Sequence, residues 1–131
     1  MRRPAWLNGT RVLVVEDDGL QALDIADCLE EAGAHVIGPI RALDEAIRTV
    51  RTERCGAAII DFLLDSRNTI PLGWELFQRH TPFIIHTGYD CRRMLPMQWH
   101  HCPVVSKPAN ISDLIHRVEL VLARAATPSP G

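Results

Sequence analysis

Apolar and polar positions along the chain fall into short apolar runs separated by helical repeats. Arg11-Val12-Leu13-Val14-Val15, Ala57-Ala58-Ile59-Ile60 and Phe83-Ile84-Ile85 are continuous runs, and Val36-Ile37 and Val104-Val105 are shorter ones. Runs that lack a polar face predict strands covered on both sides. Between them, Ala22, Ile25, Ala26 and Leu29 recur at i, i+3, i+4 and i+7, and Gly33 follows as a C-terminal stop. Leu43, Ala46, Ile47 and Val50 repeat the period. So do Ile111, Leu114, Ile115, Val118 and Leu122, with Asn110 as the N-cap.

Two connections are patterned less cleanly. Pro71 suits the first turn of a helix, which is expected to continue over residues 72–80. Pro96 acts in the opposite sense on residues 90–99, because a proline inside a helix costs roughly 3 kcal/mol, so a short or distorted fourth helix is expected there. The β-α alternation and the right-handed crossover rule together predict a five-stranded parallel sheet with helices on both faces. This is a doubly wound α/β domain, expected over residues 10–125 with tails at 1–9 and 126–131.

A chain of 131 residues suits one domain. Lys plus Arg at 14 against Asp plus Glu at 16 gives a net charge of -2, which argues against nucleic-acid binding because phosphate neutralisation needs a basic surface. No run approaches the roughly 18 apolar residues of a membrane span, and no signal peptide is read at the start, so a cytoplasmic location is expected. Cys28, Cys55, Cys91 and Cys102 show no C-x-x-C spacing and read as reduced thiols. His100-His101-Cys102 is not expected to bind metal, since adjacent ligands point apart and no second pair lies at ligand spacing.

The carboxyl edge of a doubly wound sheet forms the ligand crevice, so the residues ending each apolar run carry the chemistry. They are Glu16-Asp17-Asp18, Asp61, Thr87-Gly88 and Ser106-Lys107-Pro108. Three carboxylates brought together repel, and one protonates unless a counter-ion is present. Oxygen ligands with positions left for water suit Mg²⁺. Lys107 adds a point charge for a phosphoryl oxygen, Thr87 a hydroxyl, and Asp61 a nucleophilic carboxylate, a set that reads as phosphoryl transfer. Asp18 reads as a helix cap and His86 as a satisfied interior histidine. Met94, Met97 and Trp99 read either as core filler or as part of a partner face.

Val14-Val15-Glu16-Asp17-Asp18, Asp61 after an apolar strand, Thr87-Gly88 and Lys107-Pro108 resemble, in order and spacing, the bacterial response-regulator receiver domain. The resemblance covers about residues 10–125 and implies the flavodoxin-like strand order 2-1-3-4-5. It implies that Glu16, Asp17, Asp61 and the Leu63 carbonyl hold Mg²⁺, that Asp61 accepts the phosphoryl group, that Lys107 contacts it and that Thr87 moves toward it. It also implies a cis Lys107-Pro108 bond, a sensor histidine kinase or histidine phosphotransfer protein as donor, and a downstream protein as target, with a homodimer left open. No output domain follows residue 125, so a stand-alone member is expected.

The sequence departs from the family pattern at several points. Val104 stands where many members carry an aromatic residue coupled to the threonine movement. Leu63 and Tyr89 replace small or polar side chains beside the phosphoacceptor, which predicts slow self-dephosphorylation, and residues 65–70 do not form the usual turn. A pseudo-receiver, acting as a phosphorylation-independent interaction module, is the alternative. A dehalogenase-like phosphatase would need an acid where Leu63 stands, and no phosphate-binding glycine loop of an ATPase is present. The expectation is therefore a phosphoacceptor switch that assists only its own phosphorylation and dephosphorylation, not an enzyme with a separate substrate.

Overall fold

The computed structural model describes residues 6–126. The strands are β1 (Arg11–Val15), β2 (His35–Ile40), β3 (Ala57–Ile60), β4 (Leu63–Leu64), β5 (Arg67–Asn68), β6 (Phe83–Thr87) and β7 (Val104–Ser106). The helices are α1 (Gly19–Glu31), α2 (Leu43–Thr52), α3 (Ile70–Gln78) and α4 (Ile111–Ala126). Five strands form one parallel sheet in the order β2-β1-β3-β6-β7. Leaving out the small antiparallel β4-β5 pair, this is the expected order 2-1-3-4-5.

Each strand sends alternate residues to opposite faces. Leu13, Val15, Ala58, Ile60, Phe83 and Ile85 pack with Leu43, Ala46 and Val50 of α2 and Leu72 and Leu76 of α3. Val12, Val14, Ala57, Ile59 and Ile84 pack with Ile25 and Leu29 of α1 and Leu114, Ile115 and Val118 of α4. Each fully buried aliphatic side chain contributes about 1.5–3 kcal/mol of transfer free energy, and both helical layers are held to the sheet by this burial.

The helix ends follow local chemistry. The Asp18 carboxylate accepts from the Leu20 and Gln21 amides at 3.1 and 3.2 Å, and Asn110 accepts from the Ser112 amide at 2.8 Å, so both act as caps. Gly33, just past α1, takes φ +94, a conformation that glycine adopts without steric cost. The helix led by Pro71 ends at Gln78, short of the expected residue 80, where His80 has φ +56.

Residues 1–5 and 127–131 of the expected tails lie outside the described residues. The rest of the N-terminal stretch is not a tail: residues 6–9 form a turn and Leu7, 1% exposed, joins the core beside α1 and α4. In place of a fourth helix before β7 there are two 3₁₀ turns, Arg92–Met94 and Met97–Trp99, on either side of Pro96. Trp99 is buried, whereas Met94 and Met97 are exposed, so the three residues divide between core and surface. The Trp99 ring meets Trp74 and Phe83 edge-on, with centroids 5.2 and 5.4 Å apart, and lies over Gly73.

Candidate functional site

β1 and β3 end side by side in register, Val15 opposite Ile60, so the next residues, Glu16 and Asp61, meet at the carboxyl edge. β7 ends two strands away, and the Lys107 amide donates to the Thr87 carbonyl at 2.9 Å, which holds the start of the following loop over the same edge. The Lys107-Pro108 bond is cis, as the resemblance implied, and Gly38-Pro39 is a second cis bond. From there the Lys107 ammonium reaches back to Glu16 Oε1 at 2.6 Å and Asp61 Oδ2 at 2.7 Å. Glu16 is 2% exposed and Asp61 7%, so the ion pairs are largely withdrawn from water.

Glu16, Asp17 and Asp61 each offer a carboxylate oxygen within 4.8 Å of the other two. Among the described residues they are the only such group of metal-ligating side chains. His100 and His101 do not point apart as expected, because their ring centroids lie 3.9 Å apart; the two rings and Cys102 nevertheless form no such group. All three donors are hard oxygens with the cluster open on the Asp17 side, which fits Mg²⁺.

Burial pushes the Glu16 carboxyl above its usual value, opposed by hydrogen bonds from Lys107 and the Asp18 amide and reinforced by Asp61. Burial pulls the Lys107 ammonium down, but the hydrogen bonds and charges of Asp61 and Glu16 outweigh it and leave the group above its usual value. The cluster thus holds its cation firmly while one of its acids resists ionising, the electrostatic conflict that a divalent ion relieves.

Several residues that support the site were not expected from the sequence. Thr69, 2% exposed, uses its hydroxyl not as a helix cap but as a donor to the Asp61 carbonyl at 2.6 Å, and its amide donates to the Phe62 carbonyl at 2.8 Å. These bonds close the base of the β4-β5 hairpin directly after β3. At its tip, Asp65 and Ser66 take φ 48 and 66, as in the two-residue turns of tight hairpins, and the Asp65 amide donates to Asp17 Oδ2 at 3.1 Å. Arg41 donates to the Asp17 carbonyl at 3.1 Å. The signals for these were a threonine just before a proline-led helix and an Asp-Ser pair, too weak alone to locate a site.

Thr87 lies at a strand end as expected, whereas His86 departs from its expectation in one respect. Thr87 ends β6, buried, but its hydroxyl accepts from the Tyr89 amide at 3.2 Å and makes no hydrogen bond to Asp61. His86 is buried as expected yet is not satisfied: among the described residues neither ring nitrogen has a partner. Tyr89 stacks on Phe62 with centroids 5.8 Å apart and planes 8° from parallel, so it lies beside the loop that follows Asp61, where half-buried Leu63 also donates its amide to Asp61 Oδ1 at 3.3 Å.

No family model matches the sequence. The transcriptional regulatory protein PdtaR of Mycobacterium tuberculosis is 28% identical over 117 residues, 87% of this chain and 57% of that protein, so the chain spans little more than half of that relative. A CheY-like response regulator receiver domain protein from Methanospirillum hungatei JF-1 superposes with a TM-score of 0.81 at 21% identity, covering 90% of this chain and 97% of the other. The chain has the fold of a response-regulator receiver domain. The receiver domain of the sensor histidine kinase PA1611 from Pseudomonas aeruginosa PAO1 superposes with a TM-score of 0.75 at 21% identity, covering 88% and 98%, and that structure holds magnesium in its active-site cleft. The Glu16, Asp17 and Asp61 cluster fits the metal site of a receiver domain. No helix among the described residues is long and apolar enough to cross a membrane.

Proposed function

We propose that this receiver domain is a Mg²⁺-dependent phosphorylation switch: Asp61 takes a phosphoryl group from a sensor histidine kinase or histidine phosphotransfer protein, and the modified surface changes its affinity for a downstream protein. The observation that carries this reading is the single ammonium of Lys107 shared by Glu16 and Asp61 beside Asp17. A nearly buried acid cluster that shares one ammonium is short of positive charge, which suits a divalent ion and the dianionic group that ion would neutralise.

Glu16, Asp17 and Asp61, with the Leu63 carbonyl, would hold the metal. When bound, Mg²⁺ neutralises charge on the transferred group and orients it. Asp61 attacks phosphorus, the bond to the donor histidine nitrogen breaks with its electron pair going to that nitrogen, and the ring, already protonated on its other nitrogen, leaves as neutral imidazole. Lys107 turns its ammonium from the Asp61 oxygen to a phosphoryl oxygen, where charge is greatest. Thr87 can donate its hydroxyl proton to the phosphoryl group, and its bond from the Tyr89 amide carries that movement into the loop after β6.

The domain acts once on itself and turns over no separate substrate. Its free thiols at Cys28, Cys55, Cys91 and Cys102 suit the reducing cytoplasm. The test is beryllofluoride with millimolar Mg²⁺, followed by amide NMR shifts at Asp61, Thr87 and Tyr89. Wild type is expected to respond and Asp61→Asn to stay silent. An equal response from the variant overturns the reading.

A further inference from the structure

His86 occupies a position that the phosphoryl chemistry above does not use. The registers Val15 opposite Ile60 and Ile60 opposite Ile85 continue by one residue into Glu16, Asp61 and His86, on the adjacent strands β1, β3 and β6. Neighbours at one register of a parallel sheet share a face, and Val14, Ile59 and Ile84, two residues earlier in each strand, all lie on the α1 and α4 side. His86 is therefore the next residue in the row that holds the phosphoacceptor. It is 4% exposed, and both ring nitrogens are buried without a partner. An apolar side chain would fill the same volume without leaving a donor and an acceptor unpaired, so the imidazole points to a partner acquired in another state of the site.

We propose that His86 is a positioning residue of the phosphoryl site: when Lys107 turns from Asp61 to the phosphoryl group, the imidazole N–H becomes the donor to the Asp61 carboxyl. The proposal rests on the phosphoacceptor reading. In hydrolysis, water oxygen bonds to phosphorus and the bond from phosphorus to the Asp61 oxygen breaks. The electron pair returns to the carboxyl, and both hydrogens of the water leave on the inorganic phosphate. His86 transfers no proton. It meets negative charge as that charge returns to Asp61, so it accelerates loss of the phosphoryl group. Burial foremost, then the Lys107 ammonium, push the imidazole below the usual histidine range against the opposing pull of Asp61, which keeps the ring neutral.

The experiment uses the full chain, phosphorylated with acetyl phosphate and Mg²⁺, then freed of donor and followed by ³¹P NMR or phosphate-affinity gels. His86→Phe keeps a planar ring without the N–H and is expected to lengthen the phosphoryl lifetime about tenfold or more, the scale set by removal of one charge-facing donor. His86→Gln, which retains an N–H, is expected to return the lifetime toward wild type. Equal lifetimes in all three proteins, or the same lengthening in both variants, overturn the proposal. A second measurement does not depend on variants folding: in ¹⁵N-histidine-labelled wild type, beryllofluoride with Mg²⁺ should shift the His86 N–H into the hydrogen-bonded range, and an unmoved signal overturns the proposal. Wild type that takes no phosphoryl group at all overturns the phosphoacceptor reading itself, a distinct result.

Discussion

The Lys107 ammonium and the Glu16 carboxylate, separated by 91 positions in the chain, lie 2.6 Å apart at the carboxyl edge of the sheet. The same ammonium is 2.7 Å from Asp61, so one cation compensates two nearly buried acids. Removing it leaves like charges together unless another cation replaces it.

Lys107→Met is therefore expected to destabilise the metal-free domain by on the order of 3 kcal/mol, the scale for breaking a buried ion pair, and millimolar Mg²⁺ should recover most of the loss. Chemical denaturation with and without Mg²⁺ measures both terms. A loss that Mg²⁺ leaves untouched would show that Lys107 acts by packing alone.

Leu63, whose amide donates to Asp61, and Tyr89, stacked on the neighbouring Phe62, are expected to shield the Asp61 carboxyl from the approach of an attacking water. Leu63→Asn opens this approach and offers a polar group to the water, and the phosphoryl lifetime should shorten severalfold. The same ³¹P decay reads it, and an unchanged lifetime overturns the shielding role of Leu63.

Gly73 faces the Trp99 ring so closely that a Cβ there would lie 2.3 Å from a ring carbon. Gly73→Ala must displace the indole from its contacts with Trp74 and Phe83, and overpacking of this kind costs about 1–3 kcal/mol. Thermal unfolding should register the loss, together with a red-shifted tryptophan emission. Wild-type stability in the alanine variant would mean that Trp99 does not hold the segment before β7 in place.

Burial pushes the Cys102 thiol up to about 12, with its Sγ donating to the Phe83 carbonyl at 3.3 Å. The thiol is the favoured form in the folded state, so its contribution to stability is full below about 9 and declines as pH rises toward 12. At pH 8 only about one thiol in ten thousand is thiolate, so iodoacetamide should spare Cys102 in the native chain and modify it after denaturation. Rapid native modification at that pH would contradict the burial.

How much of this was legible in the chain differs by element. Continuous apolar runs such as Val12 to Val15 and the spacing of Ile25, Leu29, Leu114 and Val118 report burial directly, because a fully covered strand and an amphipathic helix each leave a period that solvent exclusion imposes. Strand ends inherit their polarity from the same pattern, so Glu16, Asp61, Thr87 and Lys107 stood out before any coordinates. The β4-β5 hairpin did not, since two residues per strand carry no period. Trp99 and Met97 are both apolar and only two positions apart, yet one is 4% and the other 88% exposed. The void above Gly73, made by α3, decides between them.

By itself the sequence determined the order of elements, the two-faced sheet and the set of acids, hydroxyl and ammonium at one edge, because these follow from local periodicity and from where each apolar run stops. Only the tertiary structure decided which oxygen Lys107 holds, that Thr69 donates to the Asp61 carbonyl instead of capping its helix, and that His86 stands unpartnered next in the row to Asp61. Hydrogen bonds are short-ranged and directional. Their partners are therefore chosen by the register of strands distant in sequence, which no local pattern encodes.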